Sequence, residues 1–206
     1  MEYFTIIHLS VPLILASSSP FRKAILEKLR VAFVTASPDV DEARHDGETP
    51  YNLVLRLAAA KAKKVAKLHS GLIIASDQVA TFGLGTDKAD EILTKPLTHE
   101  NAFKQLKQSS GRTVTFLTSI VLLNTKTNNL QNHVEFFQVF FKTLSDNQIR
   151  SYLEKENVLN CAGSFKSEGL GVELFSCMKG DDPNSLIGLP TIKLVDMLAK
   201  ENVHIL

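Results

Sequence analysis

Apolar residues come in short runs along this chain, and their period changes from one run to the next. Val11 to Ala16 (VPLILA) has the length and apolar character of a short buried strand. Ser17-Ser18-Ser19-Pro20 follows at once, with Ser19 suited to an N-cap and Pro20 to the first helical position. The spacing of Phe21, Ile25, Leu26 and Leu29 predicts a helix running to about Arg30. Val31 to Thr35 predicts a second short strand, and the acidic, polar Ser37 to Thr49 a loop. Thr49-Pro50 opens a second helix, from about Tyr51 to His69. Leu72 to Ala75 reads as a strand ending at Ser76-Asp77-Gln78, and Gly83 to Asp90 as a Gly- and Asp-rich loop. Thr98 caps a helix through about Lys107, stopped by Ser109-Ser110-Gly111. Thr113 to Asn124 and Leu130 to Leu144 predict a long hairpin around TKTNN. Ser145 and Gln148 form a capping box for a helix to about Glu156. Gly163 to Gly171 is a glycine-punctuated loop, Val172 to Met178 a strand, and Pro190 to Glu201 a final helix.

Early alternation of strand and helix, with a hairpin in the middle, predicts an α/β fold: a mixed central sheet flanked by helices. There is no internal repeat and no linker, so residues 12–206 are expected to form one domain after an extension of residues 1–11. The 206 residues, 44% hydrophobic and 22% charged, fit a globular chain with a real core. The 23 basic and 22 acidic residues give a net charge of +1, without the basic excess of a protein that coats nucleic acid. Cys161 and Cys177 show neither metal spacing nor a disulfide framework, which suits a reducing, cytoplasmic setting. The N-terminus lacks the basic start of a signal peptide, and no apolar run approaches the ~18 residues of a membrane span.

Five charged residues depart from this bland pattern. Arg22 stands in the first turn of a helix, where the macrodipole disfavours a cation and an anion is welcome. Lys61 falls on the apolar face of the second helix, among Val54, Leu57, Ala58, Val65 and Leu68, while Arg56, Lys63 and Lys67 lie opposite. A lysine there is costly unless it snorkels or meets an anion. Asp77 follows an apolar run, near the strand end where ligands gather in α/β sheets. Glu42 lies in the acidic loop and Lys95 before Pro96. Three cations suit a polyphosphate, and two carboxylates suit a divalent metal or the activation of water. Neither a P-loop nor a G-x-G-x-x-G motif is present.

LILASSSPFRKAILEKL resembles the opening signature of the Maf-like nucleoside triphosphate pyrophosphatases. The likeness continues through VDE (Val40 to Glu42), LVLRLAAAKAKKVA (Leu53 to Ala66), IIASDQV (Ile73 to Val79) and TKPLTHENA (Thr94 to Ala102). SGRTVTFLTSIVL (Ser110 to Leu122), CAGSFKSEGLG (Cys161 to Gly171) and DPNSLIGLP (Asp182 to Pro190) complete it. The resemblance implies a Maf/inosine triphosphatase-like fold with a nucleotide cleft and cleavage between the α- and β-phosphates. It implies a divalent cation, Mg²⁺ or Mn²⁺, held by Glu42 and Asp77. It further implies a nucleotide as the partner, not a nucleic acid polymer or a membrane, and a homodimer. By the resemblance Asp77 is the proton acceptor, with Ser17, Arg22, Lys61 and Lys95 completing the catalytic set.

Within the family, Phe21, Gln78 and Glu168 resemble the branch that hydrolyses 7-methyl-GTP to 7-methyl-GMP and pyrophosphate. The UTP- and dTTP-hydrolysing branch has Arg, Thr and Gln at these positions. A carboxylate at Glu168 can accept both donors of a guanine edge, and the ring of Phe21 attracts a cationic 7-methylated base by ~0.5–2 kcal/mol. The competing expectations are a pyrimidine triphosphate pyrophosphatase and a nucleotide-binding regulator of septum formation without turnover.

Overall fold

The computed structural model describes residues 6–7, 9–82 and 91–206. Seven strands form a sheet in the order β2-β1-β3-β5-β6-β7, with β4 paired to β3, and helices flank it. The strands are β1 Leu13–Ala16, β2 Val34–Ala36, β3 Leu72–Phe82, β4 Ile92–Leu93, β5 Thr113–Asn124, β6 Asn129–Phe141 and β7 Phe175–Lys179. The helices are α1 Pro20–Glu27, α2 Pro50–Ala66, α3 His99–Ser109, α4 Asp146–Lys155, α5 Pro183–Ile187 and α6 Thr191–Lys200. Contacts divide the chain into two compact units, and β3, β5 and β6 contribute residues to both.

The first unit holds residues 1–77, 118–134 and 188–206. Here β1 pairs in parallel with β2 and β3, Ile14 lying opposite both Val34 and Ile73. All four residues of β1 are buried, as a parallel strand covered on both faces requires. Ala58, Ala62 and Val65 of α2 pack with Ile14, Ala16, Ile73 and Ala75. Small side chains on the helix allow this close approach, and each buried Ile contributes about 1.5–3 kcal/mol. The caps form where the sequence predicts them: Ser19 accepts from Arg22 N and Thr49 from Asn52 N.

Several boundaries differ from the sequence reading, among them the start of β7, which is Phe175 rather than Val172 because Leu170–Leu174 form a 3-10 turn. Helix α1 stops at Glu27, because Lys28, Leu29 and Arg30 close tight i→i+3 turns and Arg30 takes a positive φ of 56°. Val31 then pairs with Ile7 rather than joining β2, with hydrogen bonds from Ile7 N to Arg30 O and from Ala32 N to Ile7 O. Helix α2 ends at Ala66, which leaves Leu68 84% exposed and off the apolar face assigned to it.

Strand β3 carries the largest difference. It continues through Asp77 to Phe82, because Val79 to Phe82 resume the apolar pattern after three polar residues. Asp77 is therefore mid-strand rather than at a strand end. Strand β1 stops at Ala16, one residue past the Leu15–Ile74 pair, and its chain turns away into Ser17 and α1. Ser76 and Asp77 thus lie on a stretch of β3 that outruns its parallel neighbour. The carboxyl-end argument survives, applied to β1 instead of β3.

The second unit holds residues 78–117 and 135–187. Its core includes Phe116, Phe141, Phe165 and Phe175, stacked edge-to-face with ring centroids 4.8–5.6 Å apart. The capping box of α4 is present, with Ser145 accepting from Gln148 N and Gln148 from Ser145 N. Strand β4 and the short helix α5 are absent from the sequence reading, being too brief to show a period. The loop expected at Gly83 to Asp90 lies outside the described residues.

Candidate active site

Lys61 sits where the helical period puts it, on the buried face of α2, and is only 6% exposed. It does not snorkel. Its Nζ lies 2.6 Å from Asp77 Oδ1 and 2.6 Å from Glu42 Oε1. Asp77 is 7% exposed, whereas the Glu42 side chain, on the loop before α2, is 59% exposed. One ammonium thus joins a buried carboxylate to one that reaches solvent.

Burial pushes the Asp77 carboxyl above its ordinary range. The charge and hydrogen bond of Lys61 oppose that rise, Arg22 opposes it more weakly, and Glu42 adds to it. Desolvation in turn lowers the Arg22 guanidinium, against the attraction of Asp77 and Glu42. Arg22, Glu42, Lys61 and Asp77 therefore form one electrostatic cluster. Arg22 is fixed by its Nε, which donates to Gly188 O at 2.9 Å, and Ser76 Oγ donates to the same carbonyl at 2.8 Å. Gly188 has a φ of 124°, a conformation only glycine adopts readily. Ser17 is buried at the end of β1, its Oγ accepting from Ser19 N at 3.1 Å. Phe21, beside Arg22 in the first turn of α1, is half-buried.

The other predicted residues belong to the second unit. Gln78 spends its amide nitrogen on the carbonyls of Ser185 (2.8 Å) and Leu186 (3.1 Å) in α5. Lys95 is exposed in the segment between β4 and α3. Glu168 is exposed, with Ser167 Oγ 3.4 Å from its Oε2. Its loop is held from behind by Glu156, which accepts from Lys166 Nζ at 3.1 Å and Leu170 N at 3.2 Å.

A family model described as Maf-like protein matches residues 12–201. The chain belongs to the Maf family. A relative named 7-methyl-GTP pyrophosphatase from Vibrio cholerae is 49% identical over 194 residues, covering 94% of this chain and 97% of its own. Relatives with that name from Alcanivorax borkumensis and Methylobacillus flagellatus are each 50% identical, over 94% and 95% of this chain and 95% and 99% of their own. The fold is shared with two solved Ham1 proteins. That of Staphylococcus aureus has a TM-score of 0.54 at 13% identity and that of Coxiella burnetii 0.51 at 13%, each over 93% of this chain and 99% of its own.

The site of this Maf chain includes residues the sequence reading passes over. Ser119, fully buried in β5, accepts from Asp77 N at 3.1 Å and lies 2.7 Å from Val54 O in α2. It ties the backbone of Asp77 to the helix that carries Lys61. The available signal is the adjacent polar pair Thr118-Ser119 in a mostly apolar strand. Arg56, on the side of the helix away from the apolar face, grips Glu48 with Nε to Oε1 at 2.6 Å and Nη2 to Oε2 at 2.8 Å. Hydrogen bonding from Arg56 chiefly, then from His45 N, lowers the Glu48 carboxyl from its ordinary 4.5 to about 2. A lowered carboxyl stabilises the fold above its unfolded value and loses that contribution as pH falls through the folded one. Glu48→Gln is therefore expected to lower the melting temperature at pH 7. The gap from wild type should narrow between pH 4.5 and 2, read by thermal unfolding across that range.

Proposed function

We propose that this chain hydrolyses 7-methyl-GTP to 7-methyl-GMP and pyrophosphate, acting on the nucleotide pool of the cytoplasm. The observation that carries the reading is the buried Lys61 ammonium between Asp77 and Glu42, beside Arg22, in a Maf chain about half identical to relatives with that name. No described helix is long and apolar enough to cross a membrane. Residues 12–206 act as one catalytic domain in this reading, and the active form is a homodimer, which light scattering tests.

Asp77 accepts a proton from water, whose oxygen attacks the α-phosphorus. The bond from that phosphorus to the α–β bridging oxygen breaks, and pyrophosphate leaves. Desolvation makes Asp77 more basic than a surface aspartate, while Lys61 and Arg22 favour its charged form. Arg22, Lys61 and Lys95 neutralise phosphate charge, and the Ser17 hydroxyl donates to a phosphate oxygen. Positioning and charge stabilisation of this kind carry most of the rate in phosphoryl transfer.

The donor set suits a hard cation. Glu42 and Asp77 offer carboxylate oxygens converging on one positive centre, and Mg²⁺ is commonly held by one or two carboxylates together with substrate phosphates. Among the described residues no group of three or more His, Cys, Asp or Glu is assembled, so Glu42 and Asp77 are the carboxylates that would hold such a cation. When bound, such a cation neutralises phosphate charge and fixes the triphosphate.

Phe21 packs on the cationic base, Glu168 accepts from guanine N1–H and N2–H₂, and Gln78 orders the α5 segment. Pyrophosphate release from a panel of canonical and modified nucleotides with Mg²⁺ tests the whole reading. A preference for UTP or dTTP, or no release from any nucleotide, would overturn it. Glu168→Gln tests the specificity assignment. It removes a charge-assisted acceptor worth roughly 1.5–3 kcal/mol. The kcat/KM for 7-methyl-GTP should fall about one to two orders of magnitude. Activity on UTP should hold or rise, and equal losses on both nucleotides would place Glu168 in the shared machinery.

A further inference from the structure

The loop from Asp41 to Glu48 contains no helix or strand, yet it must deliver the Glu42 carboxylate to within 2.6 Å of Lys61 Nζ. Three of the hydrogen bonds that shape it come from one guanidinium. Arg56 forks onto Glu48, and its Nη2 also donates to Ala43 O, next to Glu42 in the chain, at 2.9 Å. The Glu48 side chain, 9% exposed, also accepts from His45 N at 3.2 Å. Its backbone carbonyl accepts from Arg44 Nε at 2.7 Å. Ala43 N donates to Asp41 Oδ1 at 2.9 Å, which bends the chain just before Arg56 meets it. Helix α2 thus grips the loop twice, at Arg56 and, five residues later, at Lys61.

We infer that Arg56 is a positioning residue, whose fork onto Glu48 and bond to Ala43 hold Glu42 in the place where it serves the divalent cation. This rests on the proposed role of Glu42 at that cation. Only a planar, multidentate donor meets both acceptors at once, so lysine is not an equivalent here. Groups that orient metal-binding carboxylates typically change metal affinity or activity by about 10–100-fold when altered.

The test measures half-saturating Mg²⁺ for turnover in wild type, Arg56→Lys, Glu48→Gln, Glu42→Gln and the Arg56→Lys/Glu42→Gln double variant. Hydrogen–deuterium exchange of residues 41–48, without metal or nucleotide, gives a second readout, and melting temperatures check folding. Arg56→Lys and Glu48→Gln should each raise half-saturating Mg²⁺ by about 10–100-fold and speed loop exchange. The double variant should be no worse than Glu42→Gln alone. If Glu42→Gln weakens Mg²⁺ dependence while both loop variants keep wild-type half-saturation and exchange, the inference fails and the role of Glu42 stands. If Glu42→Gln itself keeps wild-type Mg²⁺ dependence, the cation reading fails and takes the inference with it.

Discussion

Asp77→Asn should reduce pyrophosphate release by about 10²–10⁴-fold while leaving the protein folded. The substitution keeps the size of the side chain and the oxygen facing Lys61, and it removes the basic site. Its structural cost is limited by two features of the site. Lys61 retains Glu42 at 2.6 Å, so its charge is not stranded, and the backbone at Asp77 stays anchored by the Ser119 hydroxyl. The melting temperature should stay within a few degrees of wild type. A non-hydrolysable nucleotide should still bind, because Arg22 and Lys61 remain. Near wild-type kcat in this variant would remove Asp77 from the role of base and the proposed mechanism with it.

What the sequence made legible is whatever a local period or cap records. Ser19, Thr49, Thr98 and Ser145 cap the helices they were expected to cap, because capping is decided within about three residues. Lys61 stood out because a 3.6-residue period is rigid enough to mark a charge on the wrong face. The same argument failed at Leu68, where the helix had already ended, and it could not show the partner of Arg56, which lies in the preceding loop. Asp77 was found for a reason that needed amending. Three consecutive polar residues look like a strand end, and only the pairing of β3 beyond the end of β1 shows them to be mid-strand. The contacts of Gly188 and Ser119 were out of reach. They meet Ser76 and Asp77 across separations of 112 and 42 residues, and no local pattern records contacts of that range.

Lys61→Met shows how the geometry reverses an expectation. From the sequence alone, replacing a lysine on an apolar face with methionine should leave stability unchanged or raise it. The structure gives that lysine two carboxylates, and they respond differently to its loss. Glu42 is largely exposed and returns to water at little cost. Asp77 is buried, and removing one partner of a buried pair costs about 3–5 kcal/mol. Part of that is recovered, because Asp77 can take up a proton, to which burial already inclines it, and because Arg22 still attracts its charge. A net loss of about 2 kcal/mol is expected, a fall of roughly 4–8 °C in melting temperature for a chain of this size. The Lys61→Met/Asp77→Asn double variant, with neither charge left at these positions, should melt close to wild type. Activity of the single variant should drop at least about 10³-fold, since a phosphate-binding cation is gone and the charged form of the base loses its main support. A single variant that melts lower yet turns over normally would make Lys61 a structural counter-ion to Asp77 and nothing more. One that melts at or above wild type would show that Asp77 does not depend on Lys61 for its burial.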